Sequence, residues 1–137
     1  MEKITKTNLI LRVAMAITLF AHSIPAMIDG GVNAFGNFYL NEIGFAPLGV
    51  PLAWAIKSSH VLCAILLLLN KFIKWACIPT IFILVMGIIL VHWPEGWFVV
   101  GAGRNGIEYN FILICVLVSI MMTDHFSSKS VENFSNG

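Results

Sequence analysis

The chain has 137 residues, of which 58 % are hydrophobic and only 11 % charged, with a net charge of +1 and a mean hydropathy of +0.88. Soluble domains carry about 25 % charged residues, and a chain this short has too little interior to hide so many apolar side chains, so a water-soluble fold is disfavoured and the bilayer becomes the solvent. Near-neutral charge leaves no basic field for nucleic acid, and the length sets one compact domain.

The first apolar segment runs from about Leu9 to Ile28. Lys3 and Lys6 precede it and Ala26 offers a small residue, in the manner of a signal peptide. Arg12 inside the stretch, followed by His22 and Pro25, argues instead for a retained helix. Residues 29–47 form a link rich in Gly, Asn and aromatics, without Lys or Arg. This composition predicts an interfacial segment with a short helix.

The second segment runs from about Leu48 to Leu69, with Pro51 in its first turn, where a missing N–H costs little. Only Asn70 and Lys71 separate it from the third, Phe72 to His92, which forces an antiparallel hairpin. Pro79 is expected to kink or break the third helix. The fourth segment, Gly106 to Met122, is at the short end of the spanning range of roughly 17–25 residues. Residues 1–123 thus read as an all-α integral membrane domain, an up-down four-helix bundle with a short interfacial segment after the first helix. Residues 124–137 read as a polar cytoplasmic tail, expected to fray.

The basic residues set the orientation. Lys3, Lys6, Arg12, Lys71, Lys74 and Lys129 fall on one side of four crossings, and only Arg104 on the other. Both termini are therefore expected in the cytoplasm, in a multi-pass protein of the cytoplasmic (inner) membrane. Cys63, Cys77 and Cys115 all lie in apolar segments, without a C-x-x-C, and read as small buried hydrophobes.

Ionisable residues inside a bilayer are costly and mark sites by default. Arg12 lies a turn from the cytoplasmic end and can snorkel. From a rise of about 1.5 Å per residue, His22 lies about 9 Å, Lys57 about 13 Å and His60 about 18 Å below the outer boundary. His92 and Glu108 sit near that boundary. Lys57 and His60 share a helix face. The fourth-helix stripe of Glu108, Ile112, Cys115 and Ser119 is expected to turn inward. These placements suggest an outward-opening polar pocket of His22, Lys57, His60, His92 and Glu108, suited to a quinone-like headgroup, a proton or an anion. Each histidine alone reads as packing, because a buried imidazole can satisfy itself on a carbonyl; Lys57 reads as functional.

No metal is expected. His60 and His92 differ in depth by roughly 18 Å, too far to share an ion with ligands at about 2 Å. Trp93 and Trp97 read as an aromatic belt. The glycine-rich run 101–106 has no G-K-[ST] and is no P-loop. Arg104 and Glu108, four apart, form a candidate outer-face pair, with Glu108 also favoured by the helix dipole.

These pieces together resemble the DoxX family of small bacterial membrane proteins, most like versions from the Bacteroidetes. Three places carry the resemblance: Arg12, His22 and Ser23 in the first helix; His60 and the run Ala64 to Leu69 in the second; and His92, Gly96-Trp97-Phe98 and Glu108-Tyr109 in the last part. Two positions depart from the pattern. His60 stands where the family often has an acid, and Ala26 and Met27 stand where it has a lysine. Lys57 is placed to supply that charge from another helix. The resemblance implies a four-helix membrane bundle. The family takes its name from a subunit of an archaeal thiosulfate:quinone oxidoreductase, and relatives are linked to redox-stress complexes.

The leading expectation is a membrane subunit of a quinone-linked or redox-stress oxidoreductase system, with a quinone as candidate cofactor and a redox enzyme as candidate partner. Lipid is the surrounding medium and homo-oligomers are admissible. The alternatives are a non-catalytic assembly subunit, or a small proton or solute transporter, which would need an oligomer because one bundle without inverted repeats is small for a carrier.

Overall fold

The computed structural model describes the backbone of residues 2–101 and 103–135 and the side chains of residues 8–101 and 103–124. Among the described residues there is no β-strand. Helix α1 spans Glu2–Ile28, and a short α2 spans Gly31–Phe35. A wider, π-helical stretch follows over Gly36–Phe45, then α3 over Gly49–Leu69. Helix α4, Ile73–Gly87, widens into a π-helical turn at Ile88–His92 and ends in a tight turn at Trp93–Glu95. Helix α5 covers Glu108–Ser135.

Among the described residues three stretches are long and apolar enough to cross a bilayer: Asn8–Ile28, Gly49–Leu69 and Ile73–Glu95. Most of their side chains point outward, including Ile10, Ile17, Leu62 and Phe82. Water would penalise that surface, whereas lipid does not. Trp75 and Trp93 are 74 % and 70 % exposed. They lie eighteen residues apart, about 27 Å along a helix, close to the hydrocarbon thickness of about 30 Å. Aromatic rings at both ends of such a span anchor it at the two interfaces. The chain is a membrane protein.

The segment after α1 is tied down more firmly than an interfacial link needs to be. Asp29 Oδ1 accepts the Gly31 N–H at 2.8 Å, and Asn41 Oδ1 accepts the Gly49 N–H at 2.9 Å. Val32, Leu40 and Ala53 form a small core between this segment and α3. Gly36 lies so close to α3 that a Cβ there would stand 2.5 Å from Val50 Cα.

The turn between α3 and α4 takes three residues, Asn70 to Phe72, one more than expected, because Phe72 stands in the left-handed region ahead of α4. Asn70 caps α3 in the left-handed region, and the Lys71 N–H reaches back to the Leu66 carbonyl at 3.1 Å. Asn tolerates that conformation better than most residues. The main core joins Met15, Ala16 and Leu19 of α1, Cys63, Ala64 and Leu67 of α3, Ala76, Cys77 and Leu84 of α4, and Leu113, Leu117 and Ile120 of α5. Buried alanines at 16, 64 and 76 let the helix backbones approach closely.

Several expectations are corrected. Pro79 does not break α4, which runs through it. Its ring is on the exposed face, so the helix loses one ladder bond and little packing. The irregularity comes at Ile88 instead. There Tyr39 Oη donates to the Leu90 carbonyl at 3.0 Å and Asn110 Nδ2 to the Leu84 carbonyl at 3.3 Å. The α5 stripe is inverted: Asn110, Leu113, Leu117 and Ile120 face inward, while Ile112, Cys115 and Ser119 are exposed. Within lipid, close packing rather than polarity decides which face turns in. Cys115 is therefore not buried, unlike Cys63 and Cys77. Helix α5 itself continues to Ser135. Residues 124–135 contain neither Gly nor Pro to stop it.

Candidate functional site

The site is built where α1 crosses the first half of α3. Pro25 has no N–H, so the turn before it in α1 is short of one ladder bond. In a membrane, neighbouring helices compensate such gaps. The carbonyl that Pro25 leaves without its donor is that of Ala21, and in the same turn Lys57 of α3 donates its Nζ to the next carbonyl, His22, at 3.0 Å. Lys57 is only 9 % exposed.

His60, one turn further along α3, is 3 % exposed, and among the described residues neither of its ring nitrogens has a hydrogen-bond partner. Its ring lies 6.1 Å from that of His22, centroid to centroid, tilted by 46°. Ser23 is fully buried, and among the described residues its hydroxyl also lacks a partner. Buried polar atoms are almost always hydrogen-bonded, so three orphaned atoms at one helix crossing are unusual. The His22 side chain is exposed, so the cluster reaches the surface of the chain there. The arrangement offers donors: the remaining ammonium protons of Lys57, one imidazole N–H of His60 and the Ser23 hydroxyl.

The five-residue pocket read from sequence divides into two groups. His22, Lys57 and His60 come together. His92 stands on the same side as His22, but its Nδ1 is engaged with the Asn105 carbonyl at 2.6 Å. Glu108 is turned into the outer loop. Its Oε1 accepts the N–H groups of Val99 at 2.7 Å and Val100 at 2.9 Å. The backbone bonds Ile107 N–H to Gly96 O and Glu108 N–H to Trp97 O close the same loop. Among the described residues Glu108 makes no ion pair with Arg104. Backbone donors lie nearer to a carboxylate at a helix N-terminus than a side chain one turn away.

Arg12 does not snorkel. It is 7 % exposed, and its Nη1 donates to Asn70 Oδ1 in the α3–α4 turn. Among the described residues Asn8 Oδ1 and Arg12 Nε have no partner at that end. Sequence reasoning reached His22, Lys57 and His60 through the cost of polarity in lipid. It gave no functional weight to Ser23, Tyr39 or Asn110, because short polar residues and tyrosine are ordinary in membrane helices.

Among the described residues no group of three or more His, Cys, Asp or Glu side chains is arranged to hold a metal ion. The family model for DoxX matches residues 7–93. The match includes the whole cluster and stops short of Glu108-Tyr109. No curated protein and no solved structure matches the chain significantly.

Proposed function

The chain belongs to the DoxX family, and from that premise we propose that it is a membrane subunit of a quinone-linked redox system, holding a quinone headgroup at the α1–α3 crossing. One observation carries the reading. A fully enclosed imidazole with two unpartnered nitrogens sits one turn from a buried lysine, in apolar surroundings open to the surface at His22. Quinone oxygens only accept hydrogen bonds, and Lys57, His60 and Ser23 all can donate. The residues fit such a headgroup. When bound it would supply two-electron carriage; the chain's own side chains would orient it and exclude water. Electrons would pass to or from a partner protein.

The proposed architecture is an up-down four-helix bundle in the cytoplasmic membrane with α5 as the fourth crossing and both termini inside. Contacts support this order. Arg12, early in α1, meets Asn70 at the end of α3, while His22, late in α1, meets Lys57 early in α3. Asn110 at the start of α5 meets Leu84 late in α4. The basic residues gather at the Arg12–Asn70 end, which the positive-inside rule assigns to the cytoplasm.

The test is binding of menaquinone and ubiquinone analogues to the detergent-solubilised chain. Lys57→Ala should weaken it by about tenfold or more, the worth of one charge-assisted hydrogen bond. Binding unchanged in the variant would remove Lys57 from the site.

A second reading, a non-catalytic assembly subunit, is favoured by a shallow groove along the outer face of α5, lined by Ile114, Cys115, Val118, Ser119, Met122 and Thr123. The small side chains of Cys115, Ser119 and Thr123, four apart along α5, admit a neighbouring helix there. A stable protein partner without quinone affinity would favour it.

A further inference from the structure

Resting on the quinone reading above, we infer that the cluster holds its ligand as an anion: a quinone headgroup bearing an ionised ring hydroxyl, with Lys57 as the counter-ion.

The argument starts from what surrounds Lys57. Among the described residues its one hydrogen-bond partner is a neutral carbonyl, that of His22. The polar groups of the elements packed around it are His22 and Ser23 on α1, His60 on α3 itself and His92 beyond α4, none of which can carry negative charge. The described acids are elsewhere. Asp29 accepts the Gly31 N–H, Glu108 accepts those of Val99 and Val100, Glu42 and Glu95 are exposed, and Asp124 lies at the far end near Cys77. Among the described residues no carboxylate pairs with Lys57.

A buried ammonium needs a counter-charge or loses its proton. The fold also leaves unused donors in the cluster, one ring N–H of His60 and the Ser23 hydroxyl, and its only acceptors among the described side chains there, the other ring nitrogen and that same hydroxyl, are neutral. A cation flanked by unused donors and lacking any anion is the complement of an oxyanion. A plain quinone offers only neutral carbonyls. A hydroxyquinone is a vinylogous acid, ionised at neutral pH, with its negative charge shared between two ring oxygens. It supplies the missing charge and charged acceptors together.

The experiment compares two probes of nearly the same shape on the full chain in detergent: a hydroxynaphthoquinone whose ring hydroxyl is ionised at neutral pH, and its methyl ether, which cannot ionise. Binding is followed by quenching of tryptophan fluorescence. The hydroxy compound is expected to bind about tenfold or more tightly than the ether. Lys57→Met should erase the difference while leaving weak binding of both. On the unmutated chain, the difference should also vanish when the pH is lowered until the ring hydroxyl is protonated. Equal binding of the two probes by the unmutated chain overturns the inference and leaves the quinone site standing. A preference that survives Lys57→Met, or survives protonation of the probe, overturns it as well. Failure of both probes to bind overturns the quinone reading and the inference with it.

Discussion

Lys57 Nζ lies 3.0 Å from the backbone carbonyl of His22, so a side chain of α3 is anchored on the turn of α1 that Pro25 weakens. The bond fixes the lysine head beside His60 rather than letting it reach for an interface. It also leaves most of the ammonium's hydrogen-bonding capacity unused. This is an arrangement for binding more than for stability, because a buried charge with one neutral partner pays desolvation and recovers little of it.

Stability and binding should therefore separate at position 57. Lys57→Met keeps the length of the side chain and removes the charge. Its thermal midpoint in detergent is expected to equal or exceed that of the unmutated chain, while quinone affinity falls. A clear drop in the midpoint would mean that Lys57 is a structural cross-link.

His60→Leu follows the same logic from the imidazole side. Replacing an unsatisfied buried polar group by an apolar one of similar size is neutral or stabilising. The variant is expected to fold at least as well and to bind quinone analogues about tenfold more weakly. A destabilisation of about 2 kcal/mol or more would show that the ring nitrogens are satisfied inside the fold.

Arg12 and Asn70 should be energetically coupled. Their hydrogen bond joins the start of α1 to the α3–α4 turn, and bonds to charged groups contribute about 1.5–3 kcal/mol. A double-mutant cycle with Arg12→Ala and Asn70→Ala, read by denaturation, should return a coupling of about 1 kcal/mol or more. Additive effects would place Arg12 back at the interface.

Gly36→Ala should be far more damaging than Gly101→Ala. The first would drive a methyl group into the α3 backbone at Val50, and the second meets open space at a positive φ of 84°. The expected costs are above about 3 kcal/mol, from overpacking against backbone, and about 1–2 kcal/mol, from left-handed strain. Comparable melting shifts for the two variants would argue that the segment after α1 is only loosely laid on α3.

Glu108→Gln should loosen the outer loop, whereas Arg104→Ala should not. The carboxylate, not an ion pair, holds Val99 and Val100. Hydrogen exchange at those two amides is expected to rise in the first variant and to stay unchanged in the second. Equal loosening in both would restore the Arg104–Glu108 pair.

The helices were readable because apolar length is a direct consequence of bilayer thickness. The boundaries of α3 came within a residue, set by Pro51 at one end and Asn70 at the other. Much of the polar cluster was readable for the same reason: Lys57 inside a span demands an explanation. Three things were not. The inward face of α5 is chosen by the fit of Leu113, Leu117 and Ile120 against α4 and α1, which depends on the other helices. Arg12 finds Asn70 across 58 residues of sequence, and no local pattern announces that meeting. The widening at Ile88 arises where Tyr39 and Asn110 bond carbonyls of the third span, and both come from other segments.

The most direct test of the central claim is mass spectrometry of the lipophilic molecules that co-purify in mild detergent with the unmutated chain and with His60→Leu. The account predicts a quinone at near-stoichiometric level in the first and depleted in the second. Equal quinone in both, or none in either even after quinone is added, would contradict it.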